Sequence, residues 1–353
     1  MTDRLRSAER LRAGERDVHI SAFVDSITYG AGQTGASQPK WRNSWPGRLS
    51  RILNGRLGLP AGTGIVVPWN TLDIRPDDDP RLRREGDVRQ LAGPGPSDLP
   101  RAGVVGRGTW RVEAKGSVVF APIAPSTEFT IYVHGIRPVA PRVEVDGAPV
   151  ELAREPLLAG PEGVEVIAWT TRGGGQELSL RPGSAEPLDL WGLEGRTGGV
   201  RVSTFARDGI GTELLAYDPD DLSGGLPLHA DAARADLAIM LLGANDRRVE
   251  AAAFVERTRT AIDRVRSVGG EVLLIHPAQF DYADPLIGYP TIDERASDLA
   301  RLSEVEGIPL LHLGREWDDH AEAARRGWFA DGVHPSDAGL EVIARDVARY
   351  LVG

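Results

Sequence analysis

The chain has 353 residues, with 41 Lys and Arg against 51 Asp and Glu, a formal charge of −10. Its 41% hydrophobic and 26% charged content is that of a globular protein of about two domains, not of a disordered chain. The absence of cysteine excludes disulfides, thiolate chemistry and cysteine-bound metal, and no apolar run approaches the roughly 18 residues of a membrane span.

The first residues, MTDRLRSAERLRAGERD, are charged throughout and carry no apolar centre. No secretory signal is read there, and the expected address is cytoplasmic. Residues 17–30, DVHISAFVDSITYG, predict an apolar strand running into a loop. WRNSWPGRLSRILNGRLG then places Trp45, Leu49, Ile52 and Leu53 at helical spacing, an amphipathic helix closed by glycine. From about Asp73 to Arg107 the composition is Pro, Asp, Arg and Gly, which reads as a long connection. Between Gly108 and Gly198, short runs alternate with period two and are separated by turn residues, predicting an antiparallel β-sandwich.

After Gly199 the pattern returns to strands alternating with helices. VRVSTFA, ADLAIMLLG, GEVLLIHP and IPLLHLG are predicted strands, and AAAFVERTRTAIDRVRSV and IDERASDLARLSEVEG are predicted helices. In the closing helix Leu340, Ile343, Val347 and Leu351 form the apolar stripe and Ser336 is the N-cap. This alternation predicts a parallel sheet covered on both faces. The expected organisation is a discontinuous α/β domain, residues 1–75 and 199–353, interrupted by a linker and sandwich at 76–198.

A G-x-G-x-x-G string at Gly30, Gly32 and Gly35 follows the first strand, as in dinucleotide sites. No helical pattern opens at the third glycine, because polar Ser37, Gln38 and Lys40 intervene, so no cofactor is expected from it. Asp25-Ser26-Ile27-Thr28-Tyr29-Gly30 lies at the C-terminal end of that strand, where open α/β sheets place ligands. A serine there is a nucleophile only with a base and oxyanion donors; alone, it equally caps a turn. Asp331 and His334 stand three apart before the last helix. At that spacing a carboxylate can take the imidazole Nδ1–H and leave Nε2 free to accept a proton.

Of the other histidines, His19 falls in mid-strand, His134 in the sandwich and His229 in a loop, while His276 and His312 end strands and could line a cleft. Asp318, Asp319 and His320 lie on a polar stretch and read as solvated, so no metal is expected. Asn245, in Gly243-Ala244-Asn245-Asp246, and Gly209, in Asp208-Gly209-Ile210-Gly211, each follow a predicted strand. An amide there can donate into a cleft, and a glycine lets a ligand approach the backbone closely.

Taken in order, Ser26, Gly209, Asn245 and the Asp331/His334 pair resemble the SGNH (GDSL-like) hydrolase family over about residues 17–58 and 200–353. The resemblance implies a flavodoxin-like parallel sheet, with Ser26 as nucleophile, His334 as base and Asp331 as its orienter. It implies an oxyanion hole of the Ser26 N–H, the Gly209 N–H and the Asn245 side chain. Val24 stands where the family has glycine and reads as a packing change near the strand end. Thr204, Ala206 and Gly209 occupy the family's Asn-x-Gly-x-x-Gly positions, which makes Gly211 a rival to Gly209. The inserted sandwich resembles those of actinobacterial and phage-tail relatives, where the insert looks like a carbohydrate-binding module. Trp110, Trp169 and Trp191 serve equally well as core.

The resemblance implies an acyl-ester hydrolase without metal or cofactor, acting through acyl-Ser26 on acylated sugars or related small molecules. An acyltransferase moving the acyl group to an alcohol is the alternative, and a non-catalytic carbohydrate-binding or tail-structure protein is a further one. No nucleic-acid or membrane partner is expected; the oligomeric state stays open.

Overall fold

The computed structural model describes residues 5–32, 40–60, 64–66, 81–90, 110–135, 138–159, 165–206, 211–212, 215, 234–276, 291–313, 317 and 320–353. The chain opens with helix α1 (Arg6–Arg12), strand β1 (His19–Val24), α2 (Ser26–Tyr29), α3 (Lys40–Asn43) and α4 (Trp45–Arg56). Eleven strands follow: β2 (Leu82–Glu85), β3 (Val88–Gln90), β4 (Trp110–Val112), β5 (Ser117–Phe120), β6 (Glu128–Gly135), β7 (Pro141–Val145), β8 (Ala148–Pro149), β9 (Leu152–Ala159), β10 (Glu165–Thr171), β11 (Leu178–Pro182) and β12 (Leu188–Arg196). The chain then returns to mixed structure with β13 (Arg201–Ala206), β14 (Leu237–Leu241), α5 (Ala251–Ser267) and β15 (Glu271–His276). It continues through α6 (Ile292–Glu306), β16 (Leu310–His312), α7 (His320–Arg325) and α8 (Asp337–Val352).

These elements form two compact units, one of Met1–Gly58, Val202–Ala216 and Arg234–Gly353, the other of Leu59–Arg201 and Tyr217–Ala233. The first is α/β, built on a five-stranded sheet of order β13-β1-β14-β15-β16. The β1–β14, β14–β15 and β15–β16 pairs are parallel. Numbered within the sheet alone, this is the 2-1-3-4-5 order of flavodoxin-like folds. Every residue of β1 and β14 is buried, so both faces of the sheet are covered, as their continuous apolar runs predict. Helices α1, α4 and α8 pack together, and α5 packs with α6. Arg48 on α4 reaches Asp337 (2.8 Å) and Glu341 (3.1 Å) on α8.

Two elements of this unit differ from the sequence reading. The helix predicted over residues 41–58 is broken at Ser44, whose hydroxyl caps α4 by accepting the Gly47 N–H at 3.4 Å. Its buried stripe is Trp45, Leu49 and Leu53, while Ile52 is only half-buried. The charged N-terminal stretch contains α1, because the Glu271 carboxylate accepts the Arg6 and Ser7 N–H groups, both at 2.8 Å. That cap comes from a strand more than 260 residues away, out of reach of any local pattern.

The second unit carries two antiparallel sheets, β3-β4-β12-β6-β10-β9 and β2-β5-β11-β7-β8. Alternate residues of both sheets share one core, among them Trp110, Val112, Phe120, Phe129, Ile131, Val143, Leu178 and Leu190. Strands β2 and β3 fall inside the stretch read as a connection. Their composition misled because β2 buries only Leu82 fully, the other residues being Arg83, Arg84 and Glu85. Trp110 and Trp191 are fully buried and Trp169 packs partly buried on the core, so these tryptophans are structural. Among the described residues no helix is long and apolar enough to cross a membrane.

A buried carboxylate also lies in this unit. Glu194 is 1% exposed; it accepts the Tyr132 hydroxyl at 2.9 Å and the Arg201 guanidinium at 2.6 Å. Removing one member of such a group strands the others away from water. Glu194→Ala is therefore expected to cost about 3–5 kcal/mol in urea denaturation. A loss under about 1 kcal/mol, the value of a solvent-screened pair, would contradict the burial argument.

Candidate active site

The site starts where β1 stops. Val24, the last strand residue, has φ 102°, and Asp25 turns the chain into α2 with Ser26 as its first residue. The Asp25 Oδ1 accepts the Ile27 and Thr28 N–H groups, each at 3.1 Å, and so caps the short helix. Gly30 ends it at φ 93°. Trp45 on α4 donates to the Thr28 hydroxyl at 3.3 Å and fixes the turn from behind.

The conformation of Val24 corrects the reading of this position as a packing change. A β-branched residue in the left-handed region is strained, on the order of 1–3 kcal/mol, where glycine would not be. The residue is buried and paired in register with Leu241 of β14, so its surroundings hold it there.

The opposing segment precedes α8. The Asp331 Oδ1 accepts the Val333 and His334 N–H groups at 2.7 Å each, while its Oδ2 takes the His334 Nδ1–H at 2.8 Å. The Ala330 N–H donates to the His334 carbonyl, and that of Ser336 to the Trp328 carbonyl, closing a compact loop. Trp317, Trp328 and Phe329 cluster beneath it, with ring centroids 4.9 and 5.3 Å from Trp317. Ser336 caps α8 as expected, accepting the Gly339 N–H at 3.3 Å.

The two segments meet. His334 Nε2 lies 3.2 Å from the Ser26 hydroxyl oxygen, across 308 residues of sequence. Since the carboxylate can only accept, Nδ1 carries the proton and the Nε2 lone pair faces the serine. Burial raises the Asp331 carboxyl, but the hydrogen bonds from His334 and Val333 outweigh it and hold the group below its ordinary value. Gly32, at φ 89°, allows the approach: a Cβ there would lie 2.6 Å from the Pro335 carbonyl oxygen and 2.7 Å from the His334 Cβ. Gly30 and Gly32 of the dinucleotide-like string thus have structural uses, while Gly35 lies outside the described residues.

Asn245 is exposed on the turn after β14, the neighbour of β1, where Gly243 adopts φ 108°. The Val24–Leu241 register makes this turn leave the sheet beside Asp25 and Ser26. Asp246, whose role the sequence did not reveal, is fully buried, and its carboxylate accepts the Thr212 N–H and hydroxyl at 2.6 Å each and the Gly243 N–H at 3.2 Å. Gly209 lies outside the described residues, whereas its rival Gly211 is buried beside Thr212.

The other candidates stay apart from this arrangement. His19 is buried and shares a hydrogen bond of 2.7 Å with Ser203. His276 does not line a cleft: it is 2% exposed, donates from Nε2 to the Ile292 carbonyl and stacks on His312 at 5.1 Å. Burial, then the neighbouring His312, pushes its imidazole down to about 4. His229, Asp318, Asp319 and the side chain of His134 lie outside the described residues. Among the described residues no three His, Asp or Glu side chains cluster as metal ligands.

Residues 173–342 match the family described as GDSL-like lipase/acylhydrolase, a segment that holds Asn245, Asp331 and His334. That segment is just under half of the chain, and over it the chain is similar to the GDSL-like lipase/acylhydrolase family. The match is to a family of hydrolase-type enzymes. Ser26 precedes the matched segment and joins it through the hydrogen bond to His334. No curated protein matches the chain. Among solved structures, it is similar to a lipase/acylhydrolase from Enterococcus faecalis, at 23% identity over 44% of this chain and 77% of that one, with a TM-score of 0.34. A protein from Bacillus subtilis is 17% identical over 82% of this chain and 90% of its own, with a TM-score of 0.38. A catalytic mutant of an acetylxylan esterase from Geobacillus stearothermophilus is 19% identical over 44% and 73%, with a TM-score of 0.35.

Burial, opposed by the Thr28 N–H and helped by the charge of Asp246, raises the Asp25 carboxyl from 3.8 to about 7. A folded value above the unfolded one means the native state keeps a proton that the unfolded chain has lost. This group's contribution to stability is therefore complete in acid and declines as pH rises from about 4 to about 7. Asp25→Asn keeps the capping oxygen and removes the charge. Its stability relative to wild type should rise by up to about 4 kcal/mol between pH 4 and pH 8 in urea denaturation. A difference that does not change with pH would show that Asp25 is ionised at little cost.

Proposed function

We propose that the protein is a serine-dependent acyl-ester hydrolase, and the observation that carries this reading is the continuous hydrogen-bonded path Asp331–His334–Ser26. The Ser26 Oγ attacks the ester carbonyl carbon while His334 Nε2 takes its proton. Asp331 keeps the imidazole in the required tautomer and stabilises the imidazolium as it forms. Collapse of the tetrahedral intermediate expels the alcohol, which receives that proton, and leaves the acyl group on Ser26. Water then attacks with His334 again as base, releasing the acid and restoring the serine.

The developing oxyanion needs donors fixed in advance. Asp25 caps the N–H groups of residues 27 and 28 rather than that of Ser26, which supports the Ser26 N–H as one donor. The Asn245 side chain, on the turn beside it, is the second, and the segment after β13 supplies the third through Gly209 or Gly211. The substrate class is a small acyl ester.

Three measurements test this. A fluorophosphonate should label Ser26, and Ser26→Ala should abolish both labelling and hydrolysis of 4-nitrophenyl acetate; retained turnover would falsify the serine mechanism. Asn245→Ala should lower kcat by about 10²–10³ with a smaller change in KM, as loss of one oxyanion donor does. A rise in KM at constant kcat would reassign Asn245 to substrate binding. Mass analysis of the products with alcohols added separates hydrolysis from transfer.

A further inference from the structure

We infer that Asp246 is a positioning residue that locks the oxyanion-donor segments together, a reading that rests on the serine mechanism proposed above. Its carboxylate is fully buried and joins two parts of the chain. One oxygen accepts both the N–H and the hydroxyl of Thr212, at 2.6 Å each, in the segment that follows β13 and contains Gly211. The other accepts the Gly243 N–H at 3.2 Å, in the turn that carries Asn245. The peptide links repeat the constraint, with the Asp246 N–H on the Gly243 carbonyl at 3.4 Å and the Val249 N–H on the Asp246 carbonyl at 3.0 Å. Buried Arg295, on α6, donates to the Val249 carbonyl and holds the far end of the same turn.

The physical need for such a clamp follows from where Asn245 sits. It is exposed, and the next residue in the chain is anchored to both segments. An oxyanion donor lowers the barrier only when it need not reorganise as charge develops. Asp246 touches no reacting atom. By fixing the backbone on both sides of the cleft, it sets the distance between a donor on one turn and a donor on the other. Sequence position hides this, since Thr212 and Asp246 are 34 residues apart.

The test uses the full chain with Asp246→Asn, Thr212→Val and the double variant, assayed on 4-nitrophenyl acetate beside Ser26→Ala. Thr212→Val removes only the hydroxyl and keeps the backbone donor, so it stays informative if Asp246→Asn fails to fold. The inference expects kcat to fall about tenfold in Thr212→Val and about 10²-fold in Asp246→Asn, with KM within about twofold. The double variant should be no worse than Asp246→Asn, as for residues acting as one unit. Affinity for phenylboronic acid, which forms a tetrahedral adduct on serine, should fall in step with kcat. Wild-type kcat in folded Thr212→Val overturns the inference. So does a loss in which KM and kcat change while boronate affinity is unaltered. Turnover surviving in Ser26→Ala sinks the serine mechanism instead, whatever the Asp246 variants do.

Discussion

A carboxylate withdrawn from water survives only where donors converge on it, and this site is arranged around two such groups. Asp25 and Asp246 lie just past the ends of adjacent parallel strands, whose register pairs Val24 with Leu241. Each is buried, and each draws backbone N–H groups inward: residues 27 and 28 for Asp25, residues 212 and 243 for Asp246. The shape of the turns is therefore dictated from below by electrostatics. Ser26 and Asn245 ride on backbone that is folded around these buried carboxyl groups. Burial, with the charge of Asp246 as a lesser cause, defers the ionisation of Asp25 to near neutral pH.

Asp331 follows a different logic. Its side chain is 56% exposed, so burial does not hold it in place. Orientation comes instead from geometry, because one oxygen is occupied by two backbone N–H groups of its own loop and the other is left for the imidazole. The aromatic cluster of Trp317, Trp328 and Phe329 gives that loop a rigid floor. Solvent access and fixed direction coexist here.

The Ser26 and Asp331/His334 segments were legible in the sequence because each is a short motif bordering a strongly patterned element. The apolar runs of β1 and β14 likewise announced a buried parallel sheet. What escaped was conformational or remote. No residue type encodes a φ of 102° at a valine, so Val24 looked like a packing change. Helix α1 was hidden because its cap is supplied by Glu271, and β2 because its single buried side chain is flanked by arginines. Asp246 sat inside a motif already noted for Asn245, yet its partner Thr212 lies on another strand's loop. Contacts between distant segments leave no periodic trace.

The 308-residue separation between Ser26 and His334 also governs when this pair comes together. During synthesis Ser26 leaves the ribosome early, and His334 only after every intervening strand. A sheet whose neighbours are far apart in sequence closes late, since the entropy of long loops must be overcome before the pairing is rewarded. A nascent or C-terminally clipped chain would display Ser26 as an ordinary hydroxyl beside a capped turn. On the serine mechanism proposed above, catalytic competence is thus a late event in folding, and reactivity is withheld from partly made chains by topology alone.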